Sequence, residues 1–208
     1  MVKNMKKIFV IKIGGSVLLT GRNKLDEYRV NHIANQISLL KETGLVLVLV
    51  VSGAVGLGSN FIDISDKDLI KKRTAAGIGQ AILISYFNNA FKNKNLQVAQ
   101  ILLTKKDLNS KDISIILRHY FDAGLIPLIN ENDVADLNSF SGNDFLGAEI
   151  ASLLKANKFI ILSTMKRSKY GVGGGEAKQE VIKLLKRKNI ETEIVNGKLK
   201  NILLKTIL

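Results

Sequence analysis

The sequence predicts an α/β protein: a three-layer α/β/α sandwich on a mainly parallel central sheet. Three observations lead there. Short runs such as Leu45–Val51 and Leu125–Ile129 are apolar on both faces, as suits strands covered on both sides. Between these runs lie segments whose apolar residues recur at helical spacing, the alternation that builds parallel sheets. Each apolar run also ends in glycine, serine or other polar residues, which gathers small and polar groups on one edge of the sheet.

Lys7–Lys12 reads as the first strand and stops at Gly14-Gly15-Ser16. Asp26–Glu42 reads as a helix, with Val30, Ile33, Ile37 and Leu40 on one face and Gly44 as its terminator. Leu45–Val51 is the second strand and runs into Ser52-Gly53-Ala54. Thr74–Lys92 is a long helix, for which Ile78, Ile82, Ser85 and Asn89 give the expected inner face. A strand over Leu96–Leu103, a helix over Lys111–Ala123 and a strand over Leu125–Ile129 follow. After the polar segment Asn130–Asp144 come a helix at Phe145–Lys155, a strand at Phe159–Leu162, a helix at Glu176–Lys188 and a last strand at Glu191–Val195. No repeat or linker interrupts them, so a single domain over residues 1–208 is expected.

Composition narrows the chemistry. The chain has 208 residues, ample for one core, and no cysteine. Disulfides, iron–sulfur clusters, thiolate zinc sites and cysteine nucleophiles are thereby excluded. His32 and His119 are the only imidazoles, too few for a histidine-rich metal site, and no metal ligands are assigned. The net charge is +13, and residues 151–208 hold 13 basic against 4 acidic residues. Such a region concentrates anions, nucleotide phosphates among them. Lys183, Lys186, Arg187 and Lys188 read as a solvated helix face, and no aromatics interleave with them, so nucleic acid is not an expected partner. The longest apolar runs are too short for a secretory signal or a membrane span. A soluble cytoplasmic protein is expected.

Five motifs stand out, three at strand ends and two at helix starts. Lys12-Ile13-Gly14-Gly15-Ser16 offers a lysine and two glycines that can approach an anion, or an ordinary strand-to-helix turn. It matches neither the P-loop nor G-x-G-x-x-G. Ser52–Gly58 repeats the arrangement, and its glycines serve equally well for close helix packing. Asn130-Glu131-Asn132-Asp133 suits a polar substrate. In Ser141-Gly142-Asn143-Asp144, Asp144 is a candidate helix cap. Gly171–Gly175 opens a helix whose first turn carries Lys178, an unfavourable place for a lysine with only a structural role.

Together these residues resemble the amino acid kinase family and, within it, the glutamate 5-kinases. The resemblance rests on Lys12–Leu18, Val51–Gly58, Ala75–Gln80, Gln100–Thr104 with Asp107, and Ile126–Asp133, which occur in the family's order. It implies transfer of the ATP γ-phosphoryl group to the side-chain carboxylate of L-glutamate, the first step of proline synthesis. Lys12 and Lys178 would contact the transferring group, and Asp144 would hold both lysines. Ser52, Gly53, Ala54, Asp133 and Asn143 would hold glutamate. Gly14, Gly15, Ser16, Thr164, Gly173 and Gly174 would lie along the nucleotide, with Mg2+ carried by it. Residues 1–157 would form the acceptor part and 158–208 a shortened nucleotide part, and family members usually associate as homo-oligomers. Gly142 and Met165 stand where the family has acidic residues, and a segment usual between Tyr170 and Gly171 is absent. Those departures define the alternative: a member that binds an amino acid or protein partner without phosphoryl transfer.

Overall fold

The computed structural model describes residues 6–64, 68–164 and 174–208. Six strands form one sheet: β1 (Ile8–Ile13), β2 (Val46–Val51), β3 (Val98–Leu103), β4 (Ile126–Glu131), β5 (Lys158–Ser163) and β6 (Glu191–Asn196). Their order is β3-β4-β2-β1-β5-β6, and every neighbouring pair is parallel. The three-layer expectation therefore holds.

Alternation along the strands divides the core in two. Phe9, Ile11 and Ile13 of β1 face one layer, against Ile33 and Ile37 of α2 (Glu27–Glu42) and Leu83 and Phe87 of α4 (Leu69–Lys92). Val10, Val48 and Ile161 face the other, against Leu117 of α5 (Asp112–Asp122), Leu146 and Ile150 of α6 (Asn143–Leu153), and Val181 and Leu185 of α7 (Gly175–Lys186). No helix among the described residues is long and apolar enough to cross a membrane.

Helix α4 departs from the sequence expectation twice. It begins at Leu69, five residues before Thr74, because the Asp68 carboxylate caps it by accepting from the Lys71 amide at 2.9 Å. Its buried side is Ala75, Ala76, Gly79, Leu83, Phe87, Ala90 and Phe91, while Ser85 and Asn89 are exposed. The cause is the short helix α3 (Ala54–Gly58), which crosses α4 so closely that small residues must line the contact. A Cβ on Gly79 would collide with the Ala54 carbonyl, and one on Gly58 with the Ala75 carbonyl. Of the glycines after β2, Gly58 thus serves helix-on-helix packing, while Gly53 and Gly56 line the cleft described below. Gly79→Ala is expected to cost about 1–3 kcal/mol, the scale of overpacking, read from urea unfolding.

Three short helices were not legible in the sequence: α1 (Gly15–Leu18), α3 and α8 (Ile202–Ile207). The side chains of α2 hold α8 in place. Gln36 Oε1 accepts from the Leu203 amide at 2.9 Å, and His32 Nε2 accepts from Asn201 at 3.2 Å. Strand β4 also runs two residues beyond Ile129, taking the buried Asn130 and Glu131 out of the expected polar loop. Asn130 donates to Gln80 Oε1 on α4 at 2.6 Å.

Candidate active site

A cleft of about 740 Å³ opens at the carboxyl ends of β1, β2, β4, β5 and β6. At its centre are three charged side chains from distant parts of the chain. Lys12 lies one residue before the end of β1, where alternation turns it, like Val10, toward α6. Asp144 is in the first turn of α6 and Lys178 in the first turn of α7. Lys12 Nζ stands 2.7 Å from Asp144 Oδ1, and Lys178 Nζ donates to Oδ2 at 2.9 Å. Asp144 is 1% exposed, and both lysines are also buried. Asp144 is not the cap of α6, since Gly142 occupies that position.

The three groups carry one excess positive charge between them. Burial alone would raise the Asp144 carboxyl, but the two ammonium groups together hold it below its ordinary value. Lys12 is lowered, first by burial and further by Lys178, with Asp144 only partly offsetting them. Such a centre favours an incoming anion.

Ser52, Gly53, Ala54, Asp133 and Asn143 line the same cleft, on the side of β2 and β4. Asn143 Oδ1 accepts from the Glu131 amide at 3.3 Å, and Asp133 Oδ1 accepts from the Asn138 amide at 3.2 Å. Burial raises the Asp133 carboxyl, against that hydrogen bond. Gly142 has φ 110 and ψ 159, a conformation confined essentially to glycine. An acidic side chain there would strain this backbone.

Gly14, Gly15, Ser16 and Thr164 line the cleft beyond the ends of β1 and β5, next to Ser52. Their polar groups already bond within the protein. The Gly14 amide donates to the Leu162 carbonyl at 2.9 Å, and the Gly15 amide to Ser52 Oγ at 2.8 Å. Ser16 Oγ accepts from the Thr164 amide at 3.4 Å. Gly174 precedes α7 and is not among the cleft residues. Met165, Tyr170, Gly171 and Gly173 lie outside the described residues.

The cleft includes residues the sequence reading did not select: Glu131, Asn138, Asn196 and Lys198. Glu131 sat in plain view within the polar run after β4. Asn196 and Lys198 follow the same rule of polar residues at a strand's carboxyl end, applied to β6.

The chain resembles known proteins in sequence and in fold. The chain is 38% identical over 162 residues to the glutamate 5-kinase of Clostridium acetobutylicum, covering 74% of this chain and 61% of the relative. It is 39% identical over 165 residues to that of Thermus thermophilus, covering 76% of this chain and 44% of the relative. The chain thus spans less than two thirds of the length of either. Among solved structures, UMP kinase from Ureaplasma parvum superposes with a TM-score of 0.68 at 15% identity, over 98% of this chain and 95% of that one. Giardia carbamate kinase gives 0.64 at 12% identity, over 96% of each chain. At those identities the likeness is one of fold. The model of the amino acid kinase family matches residues 7–167, more than half of the chain, and the chain belongs to the amino acid kinase family.

Proposed function

We propose that the chain phosphorylates the side-chain carboxylate of L-glutamate from ATP, giving L-glutamyl 5-phosphate and ADP. The observation that carries this reading is the Lys12–Asp144–Lys178 centre at the cleft, in a chain whose curated relatives are named glutamate 5-kinase. Residues 1–157 would supply the acceptor side and 158–208 the nucleotide side. ATP supplies the phosphoryl group, and Mg2+ enters with it.

The rest falls to the chain's own groups. A carboxylate acceptor is already ionised at neutral pH and needs no general base. Neither histidine lines the cleft, in keeping with that. Positioning and charge stabilisation are what phosphoryl transfer requires of a protein. Lys12 and Lys178 would offset charge growing on the transferring oxygens, and Asp144 fixes their separation. Asp133 would meet the substrate ammonium, while Ser52 and Asn143 orient its carboxylates. Self-association is part of the same reading.

The test is glutamate-dependent ADP release. Its absence at every ATP concentration, with glutamate still bound, would favour the non-catalytic alternative. Asp133→Ala is expected to weaken glutamate binding by roughly tenfold or more, the scale for losing a charged hydrogen bond, without unfolding the protein. Titration calorimetry reads it, and an unchanged affinity would put the acceptor elsewhere.

A further inference from the structure

The loop from β4 to α6 carries Asp133 and leads into Asn143, and a buried side chain fastens its returning arm. Glu131, the last residue of β4, is 3% exposed. Its Oε1 accepts from the Phe140 amide at 2.7 Å and from the Ser139 hydroxyl at 3.4 Å. Its own amide donates to Asn130 Oδ1 at 2.9 Å and to Asn143 Oδ1 at 3.3 Å. One residue therefore grips the loop through its side chain and the Asn143 side-chain oxygen through its backbone. Other contacts hold the outgoing arm: Arg73 of α4 donates to the carbonyls of Val134 and Ala135 at 2.8 and 3.1 Å, and the Asn132 amide donates to Leu103 at 2.8 Å.

We propose that Glu131 is a positioning residue for acceptor binding, its carboxylate latching Phe140 to the end of β4 and thereby setting Asp133 and Asn143 in the cleft. The proposal rests on the reading that these two residues hold the acceptor. Burial raises the Glu131 carboxyl to about 7, with Asp133 and Asp136 adding and the Phe140 and Ser139 hydrogen bonds opposing. An ionised carboxylate is the stronger acceptor, so the latch is tightest above that value and slackens below it. Lys198, which also lines the cleft, follows β6, four strands from β4 in the sheet. Lys12, Asp144 and Lys178 of β1, α6 and α7 share the cleft in their own ion pairs. Arg73 of α4 is bound to loop carbonyls, and Lys105, after β3, meets the loop by donating its backbone amide to Ser139 Oγ at 3.1 Å.

The experiment compares wild type with Glu131→Gln between pH 6 and 8.5, reading L-glutamate affinity by calorimetry and deuterium exchange of the Phe140 amide, corrected for its intrinsic rate. From pH 8 to 6 the wild type should lose roughly fivefold in affinity and in Phe140 protection, the scale separating a charged from a neutral acceptor. The Gln variant, nearly isosteric and uncharged, should show both at the weaker level and without inflection. The same inflection in the variant, or Phe140 protection equal to that of wild type at pH 8, overturns the latch. If wild type binds no glutamate at any pH, the acceptor reading fails instead, and the Phe140 exchange decides the latch without a ligand.

Discussion

Lys12→Met and Lys178→Met should each lower glutamate-dependent turnover by a factor of roughly a hundred or more, the scale for losing one preorganised charge-stabilising donor. Glutamate binding should be largely retained. The two ammonium groups stand on either oxygen of Asp144, at 2.7 and 2.9 Å, so their placement is fixed before any ligand arrives. Their electrostatic effect grows as charge moves onto the transferring oxygens, and that is why turnover suffers more than ground-state affinity. A coupled ADP-release or hydroxamate assay at saturating glutamate and Mg-ATP, with calorimetry for glutamate, measures both. Turnover that survives both substitutions would sink the mechanism.

Asp144→Asn should destabilise the fold by about 3–5 kcal/mol, the range for leaving buried charge without its partner. The carboxylate is 1% exposed and is shared by two buried lysines, so its neutral isostere leaves both cations uncompensated on that side. Urea unfolding at neutral pH reads the loss. The pH dependence has a defined sign. The folded carboxyl lies below its ordinary value of 3.8, so its contribution is present above that value and is lost as pH falls through the folded one. The variant should lack this part of the acid limb. A stability equal to that of wild type would mean that the lysines find other compensation.

The layers of the fold were readable because apolar runs and helical spacing are local signals. β1, β2 and β5 are apolar enough on both faces to declare themselves. The buried side of α4 was not readable from hydrophobicity, since Ala75, Ala76 and Gly79 face inward for want of room while Ile78 and Ile82 are half-buried. Only the partner helix α3 explains that choice. In the cleft, Lys12 and Lys178 stood out as lysines at a strand end and a helix start. Their common partner is 132 residues from one and 34 from the other, a distance that no spacing rule spans. Glu131 was seen as a polar residue after a strand, but its burial and its bond to Phe140 depend on how the loop returns.

The place of β1 in the sheet has a consequence for how the chain is made. Ile8–Ile13 precedes the other five strands in the chain, yet it lies between β2 and β5, and β5 begins only at Lys158. Until then, β2, β3 and β4 can assemble on one side of it while its other edge stays unpaired. That edge belongs to the segment IFVIKI, rich in β-branched residues and able to template pairing with another nascent chain. The central strand therefore stays half-sheathed from the synthesis of β2 until that of β5, a period in which chaperone contact or slow elongation before residue 158 bears directly on yield.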